Sequence, residues 1–383
     1  MSLEIKEVKT QHELKAFVRF PNQLYKGHPN YVPVIESQEI KTLVPSKNPA
    51  AKDCKTALWL AYRDGKIVGR IAGIINPDFF YKWGKNYARF GWMDFIEDFE
   101  VASALIETVE NWAIENGVEA INGPLGFTDF DPEGVLVEGF DKKATIIERY
   151  NHPYYGKFLE DLGYSKHADW VEYEVKIPGE IPDKVKRTAE FVMSRYNLKV
   201  KKIRKISEVL PYIDQVFEII NNIYGLIYGF VPITKEISNF YLTRFAPLID
   251  LDMVSIITDN QDKVVAFAVT MPSYTEVFQK ANGSALKLRW LLLKGEHRKT
   301  HTADMYFIGV RPDFINKGVS AALFYEIGKS IIQKGFTKAE TNLEYESNFA
   351  VQSLWNHFEH RQHKRRRCYL KFFISSTRTD DDI

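Results

Sequence analysis

The run Val310 to Leu323, Val-Arg-Pro-Asp-Phe-Ile-Asn-Lys-Gly-Val-Ser-Ala-Ala-Leu, gathers the groups that hold a polyphosphate. Arg311, Asn316 and Lys317 supply charge and donors, Gly318 permits close approach of backbone, and Pro312 sets the turn. The run follows the apolar stretch Met305-Tyr306-Phe307-Ile308 and opens a helical pattern that continues to Lys334. A strand, a glycine-bearing turn and a helix present bare N–H groups at the positive end of a helix dipole. Carboxylates suited to taking a proton stand on either side. Asp304 lies fourteen residues before Gly318 (318 − 304 = 14), and Glu340, Glu344 and Glu346 surround the strand expected after the helix. Tyr325 and Tyr345 add hydroxyls. Trp355 adds an indole N–H, which donates a hydrogen bond but does not act as an acid near neutral pH.

The first half holds a different set. Gly123 to Phe140 is a long loop rich in glycine, aromatic and acidic residues, and loops of that length are often binding loops. Phe127, Asp129, Asp131 and Glu133 are its candidates for receiving a cationic substrate; a mobile surface loop is the plain alternative. Where the first half would match the phosphate-type turn, it reads Ile96-Glu97-Asp98-Phe99-Glu100. Three carboxylates there satisfy a helix N-terminus internally and repel phosphate. No nucleotide P-loop, His-Glu-x-x-His or Gly-x-Ser-x-Gly pattern occurs, and His297 with His301 lacks a further ligand, so no metal is expected.

These residues need elements to hold them, and the chain supplies one order of elements twice. Strand, helix, short helix, hairpin, strand, long helix, strand, helix and strand run from the N-terminus to about residue 177 and then recur. Lys263-Val264-Val265-Ala266 matches Lys66-Ile67-Val68-Gly69 at an offset of 263 − 66 = 197, and Asn348 matches Asn151 at 348 − 151 = 197. Between them, Gly335 and Gly117 are 335 − 117 = 218 apart. Each half has therefore inserted extra chain in a different place, the second after its hairpin and the first before its last helix. Pro178 and Pro182 break regular structure, so the expected domains are 1–178 and 179–373, with a mobile polar tail at 374–383.

With 383 residues, 45% hydrophobic and 26% charged, the chain is long enough for two cores of globular type. Two cysteines, Cys54 and Cys368, exclude a disulfide framework and a four-cysteine metal site. No apolar leader or membrane-length stretch is present, so a cytoplasmic protein without a membrane partner is expected. Residues 1–180 carry 21 Lys+Arg against 28 Asp+Glu, and the remainder 51 − 21 = 30 against 50 − 28 = 22. A net +8 in the second half suits a polyanionic ligand held there, and also suits two halves that attract each other.

The loop resembles the acyl-CoA pyrophosphate loop of the GNAT superfamily of N-acyltransferases, V-x-P-x-x-(Q/R)-x-x-G-x-(G/A). Gly318 stands at its first glycine, Ser320 replaces the second small residue, and Ile315 the Gln or Arg. Asn348-Phe-Ala-Val-Gln-Ser-Leu-Trp355 resembles the family's N-x-x-A-x-x-L-Y helix, with Trp355 where a tyrosine hydroxyl meets the CoA sulfur. The resemblance covers nearly the whole chain as a tandem pair, so an α/β (mixed α+β) fold is expected. Each domain would be a mixed, mostly antiparallel sheet flanked by helices. It implies acetyl-CoA or another acyl-CoA as co-substrate, held by Ile308, Val310, Arg311, Asn316, Lys317, Gly318, Val319, Ser320 and Asn348. It further implies direct attack by a primary amine of a small molecule or peptide, with Asp304 or Glu340 as base and Tyr345 or Trp355 near the sulfur. The first half then resembles a degenerate GNAT domain. The run His360 to Arg367 is a solvated edge, a contact to the CoA 3′-phosphate, or an RNA contact. That last option belongs to an alternative resembling the Fem family of aminoacyl-tRNA-dependent transferases. A non-catalytic acyl-CoA-binding scaffold is the other alternative. DNA is not expected as a partner, RNA only in the Fem-like reading.

Overall fold

The computed structural model describes residues 2–373; the tail at 374–383 lies outside them. It is a mixed α/β structure whose strands are mostly antiparallel, as expected, and its residues separate into two compact units. Of the described residues, the first unit holds those up to 170, 277–290 and those from 364 on, and the second 171–276 and 291–363.

In the first unit, β1 (Leu3–Glu7), β2 (Lys55–Arg63), β3 (Lys66–Ile75) and β4 (Tyr87–Phe95) are antiparallel neighbours in that order. Strand β5 (Ala120–Gly123) is parallel to β4, and a short strand, β6 (Val135–Glu138), forms within the stretch Gly123–Phe140 that the sequence reads as one long loop. Helix α1 (Gln11–Leu24) starts at a capping box: the Glu13 amide donates to the Thr10 hydroxyl at 3.2 Å, and the Thr10 amide to the Glu13 carboxylate at 2.8 Å. Helix α2 (Glu36–Leu43) and α3 (Pro77–Trp83) flank the hairpin, whose Asp64 and Gly65 take φ of 52° and 74°. Two such residues are what a two-residue turn with the strands' twist needs. Helix α4 (Phe99–Glu115) lies on β3 through Gly69 and Gly73, where an added Cβ would come within 2.7 Å of Leu105 and Trp112. Helix α5 (Tyr154–Asp161) leads to β7 (Ser165–Lys176), whose first residues belong to this unit and whose last belong to the next.

The second unit repeats the plan. Helices α6 (Asp183–Arg195), α7 (Leu210–Tyr224) and α8 (Lys235–Phe245) accompany β8 (Lys199–Val200), β9 (Val254–Thr258) and β10 (Val264–Pro272). The expected insertion after the hairpin is a helical pair, α9 (Thr275–Ala281) and α10 (Ala285–Leu293), of which residues 277–290 belong to the first unit. Then come β11 (Thr302–Val310), α11 (Val319–Gln333), β12 (Lys338–Thr341), β13 (Glu344–Tyr345), α12 (Phe349–Gln352) and β14 (His360–Phe372). Strands β8 to β11 are antiparallel neighbours, and β11 is parallel to β12. The core under α11 joins Val265, Ala303, Leu323 and Ile327 with Ala189 and Val192 of α6.

Each unit's sheet is completed by a strand from the far half of the sequence. Strand β14 pairs antiparallel with β5, Leu370 opposite Asn122, and β7 pairs antiparallel with β12, Glu174 opposite Glu340. A duplicated sequence does not announce this exchange.

The basic run His360–Arg367 is β14 itself and not a solvated edge. Lys364 and Arg366 are buried, the Arg365 and Arg367 guanidinium groups pair with Asp169 at 3.0 and 2.9 Å, and Arg366 donates to the Arg149 carbonyl at 2.6 Å. In the first unit's core, buried Arg70 pairs with Asp94 at 2.7 Å and donates to the Phe17 carbonyl at 2.9 Å.

Candidate active site

The phosphate-type loop has the geometry its glycine promised. Arg311 to Ile315 form a tight turn, Asn316 takes φ 63°, and Gly318 takes φ 77° as N-cap of α11. No side chain caps this helix, so its first amides, including Val319 and Ser320, have no intrahelical acceptor. Exposed Lys317 stands over the rings of Phe314 and Tyr196 at 4.8 and 5.4 Å. Arg311 is committed within the loop: it pairs with Asp313 at 2.7 Å and Asp259 at 3.1 Å, and both acids are held below the usual carboxylate range. Asp313 owes this first to the hydrogen bond from Arg311; at Asp259 burial opposes, and hydrogen bonds from the Lys263 amide and Arg311 prevail. Arg311 therefore braces the loop, which leaves Lys317 as its accessible cation.

The matching helix of the first unit is closed. Asp98 caps α4, accepting from the amides of Glu100 at 3.0 Å and Val101 at 3.4 Å, and Arg63 pairs with both Asp98 and Glu100. Of the three carboxylates in that turn, Asp98 does the capping and Glu100 joins the ion pair.

Beside α11, β11 and β12 part. Their parallel pairing covers Thr302–Met305 against Lys338–Thr341, and Asn342 adds a bond to the Met305 carbonyl at 3.0 Å. From Tyr306 onward β11 continues with β10 alone, while the chain after Thr341 turns to β13 and α12. Tyr306 is also the extra residue of a bulge, since Val269 opposes Phe307 and Thr270 opposes Met305. The first unit bulges in the equivalent strand, where Trp92 takes φ 43°. Ile308 and Val310 follow on this stretch of β11, packed against the core under α11, and the strand ends at the turn that carries Gly318.

Trp355 packs near the place where the two strands part, in a cluster with Ala339 and Met305. Its buried indole N–H donates to Glu344 Oε1 at 2.7 Å, and its ring lies against Val175, Ala339 and Phe324. Glu344 is itself buried, and its Oε2 has no hydrogen-bond partner. Burial pushes its carboxyl up to about 7, against smaller lowering effects of Trp355 and Thr341. Tyr224, at the end of α7, donates to the Ile308 carbonyl at 3.4 Å, close enough to Glu344 to feel its charge. Asn348 caps α12, accepting from the Val351 amide at 3.4 Å; its own amide donates to the Tyr345 carbonyl at 2.8 Å. Tyr345 is placed by backbone here. The helix expected to run to Trp355 is α-helical for only four residues and then tightens into a 3-10 turn.

The carboxylates chosen from sequence lie on the other face of the sheet. Alternation sends Ala303 and Met305 to the α11 core and Asp304 the opposite way, and likewise separates Ala339 from Glu340. Asp304 and Glu340 are register partners; the Tyr306 hydroxyl lies 3.5 Å from Asp304, and His363 Nε2 lies 3.6 Å from Glu340. Glu172 joins them, and ligand-type atoms of Glu172, Glu340 and His363 fall within 4.8 Å of one another. The structure thus brings together Asp304 with Glu340, and Trp355 with Glu344, on opposite faces. Glu344 entered the sequence reading beside Glu340 and Glu346 as an alternative to Asp304; no motif marks Tyr224, whose only signal is its place closing an apolar helical stripe.

The first-unit loop is braced and largely buried. Phe127 is fully buried against Trp92, with ring centroids 5.4 Å apart, and its carbonyl accepts from Asn76 at 3.0 Å. The Asp131 carboxylate accepts from the amides of Phe127 and Thr128 at 2.9 and 3.3 Å. Glu133 is half-buried, and its carboxyl is held well above the usual range by burial and then by Asp129 and Glu148. Phe127 and Asp131 build the loop, whereas Asp129 and Glu133 are the acids it presents together.

No protein-family model matches the chain. It is 26% identical over 368 residues to protein YghO of Escherichia coli (strain K12), covering 94% of this chain and 93% of that one. It is 25% identical over 389 residues to the bacterial ceramide synthase of Caulobacter vibrioides, covering 96% and 97%. Among solved structures, a tandem GNAT protein from the clavulanic acid biosynthesis pathway superposes with a TM-score of 0.55 at 9% identity, over 97% of this chain and 98% of that one. A GCN5-related glucosamine N-acetyltransferase region of a fungal multi-domain β-N-acetylglucosaminidase gives 0.56 at 13%, over 97% and 38%. At these identities the likeness shows the fold alone, and that fold is the architecture of a tandem GNAT protein.

Proposed function

We propose that the second unit binds an acyl-CoA and transfers its acyl group to a primary amine. The observation that carries this reading is the uncapped N-terminus of α11, with Gly318 at φ 77° and Lys317 beside it, opening onto the parting of β11 and β12. The pyrophosphate would take the α11 amides and Lys317, and the acyl thioester would lie along Ile308 and Val310. The amine nitrogen attacks the thioester carbonyl carbon, the C–S bond breaks, and CoA leaves as thiolate. The attacking amine would enter as the free base on the Glu344 side; Asp304 and Glu340, on the opposite face, take no part in its deprotonation. Glu344, with a carboxyl that titrates near 7, would take the proton lost by the attacking nitrogen. Trp355 cannot protonate the thiolate, and its role would be to orient Glu344.

A second reading concerns the acyl group. Next to Trp355 the second unit has an apolar cavity lined by Val175, Ile181, Met305, Phe324, Ile331 and Phe358. Its volume, about 40 Å³, is far below that of a long acyl chain, so a longer-chain reading rests on a relative named as a ceramide synthase, whose name points to an N-acylated lipid product. The Fem-like reading loses its main support, because Arg365, Arg366 and Arg367 are engaged by internal partners.

Calorimetry with acetyl-CoA and palmitoyl-CoA, followed by thiol release over a panel of amines, tests both readings. Lys317→Glu should weaken binding at least about tenfold through lost attraction and added repulsion. Absence of binding by either thioester, or an unchanged affinity in Lys317→Glu, would remove the proposal.

A further inference from the structure

The inserted helix α10 exposes apolar surface that its own packing does not need. Its sequence, Ala-Leu-Lys-Leu-Arg-Trp-Leu-Leu-Leu, is apolar on two opposite faces. Leu288 and Leu291 are buried, while Leu286, Trp290 and Leu293 are 82%, 52% and 80% exposed. At about 3.6 residues per turn, spacings of four and seven put these three within a narrow arc of one face. Lys287 and Lys294 fall on one flank of that arc and Arg289 on the other, all three exposed. No acid occurs from Ala285 to Lys294, and the next one, Glu296, is paired with Lys299.

We propose that this face of α10 docks on the surface of an anionic lipid bilayer. Leucines and a tryptophan enter the boundary between headgroups and acyl chains, and flanking lysine and arginine meet lipid phosphates. Charge chooses this occupant over a second copy of the chain. A symmetric self-contact would set α10 against α10 and press Lys287, Arg289 and Lys294 toward identical charges. The contact is superficial: nine residues span about 14 Å of helix, roughly half the hydrocarbon thickness. Among the described residues no helix is long and apolar enough to cross a membrane. The sequence expectation of no membrane partner rests on the lack of a spanning stretch, and a short surface helix needs none. The inference does not depend on acyl transfer.

Co-sedimentation of the full chain with vesicles of phosphatidylcholine alone, and of phosphatidylcholine with phosphatidylglycerol at 7:3, tests it. Wild type should partition onto the phosphatidylglycerol vesicles and bind neutral ones weakly. Leu286→Ser with Leu293→Ser should lower the partition coefficient at least about tenfold, because two side chains lose their apolar contact. Lys287→Glu should lower it by about fivefold or more, as expected for each basic group lost near an anionic surface. All three positions are exposed, so unchanged thermal melting separates these effects from misfolding. Failure of wild type to bind the anionic vesicles, or equal binding by the double-serine variant, overturns the proposal. So does sedimentation equilibrium showing a dimer that the double-serine variant abolishes, with no vesicle binding by either.

Discussion

Glu344→Gln probes the heart of the candidate site without touching its packing. In wild type the folded carboxyl titrates near 7 against an ordinary 4.5, chiefly because burial penalises its charge. Below pH 4.5 both folded and unfolded chains hold the proton, and Glu344 contributes no pH-dependent term. As pH rises from 4.5 to 7 the unfolded chain ionises while the folded one does not, so stability falls; above 7 both are ionised and the loss is complete. The difference, 7 − 4.5 = 2.5, corresponds to about 3 kcal/mol at roughly 1.4 kcal/mol per unit. Glutamine keeps an oxygen for the Trp355 N–H and removes the titration. It also leaves an amide nitrogen where Oε2 lacked a partner, a constant cost of about 1–3 kcal/mol at any pH. Urea unfolding of both proteins at pH 5 and pH 8 separates the two effects. The stability of wild type relative to the variant should drop by about 2–3 kcal/mol between those pH values. A difference that stays constant to within about 0.5 kcal/mol would refute the claim that Glu344 is held protonated into the neutral range. The same variant should flatten the acid limb of the rate profile if Glu344 is the base.

Three further outcomes are expected. Arg70→Met, which strands the buried Asp94 carboxylate, should destabilise the chain by about 3–5 kcal/mol in urea unfolding. Gly318→Ala forces a left-handed alanine whose Cβ meets Val192 at 3.2 Å, so it should cost about 1–2 kcal/mol in thermal or urea melts and weaken acyl-CoA binding in calorimetry. Asp169 is buried, yet hydrogen bonds from Arg367 and Arg365 hold its carboxyl below the usual range. Its contribution is present above the ordinary aspartate range and lost as pH falls through the lower folded value. Asp169→Asn should therefore be less stable than wild type at pH 7 and approach it toward pH 3, by the same unfolding assay.

Much of this arrangement was legible in the residues. Apolar periodicity and turn residues determined the elements, because local backbone preferences act within a few residues. The Asp64-Gly65 hairpin, the capped start of α1 and the glycine at the head of α11 all follow from such preferences. The repeat at 263 − 66 = 197 determined that one plan is used twice, and the contrast between Gly318 and Asp98 determined which helix N-terminus stays open. Only the tertiary structure decided what depends on partners distant in sequence. It sent β14 to β5 and β7 to β12, and turned the basic run His360–Arg367 into an inner strand neutralised by Asp169 and Glu148. It put Asp304 and Trp355 on opposite faces, since strand parity is visible in sequence but the bulge and the parting of β11 from β12 are not. It buried Glu344 beside Trp355 and left Leu286 and Leu293 exposed. Burial and exposure are properties of what packs against a residue, and a sequence by itself does not say which neighbours arrive.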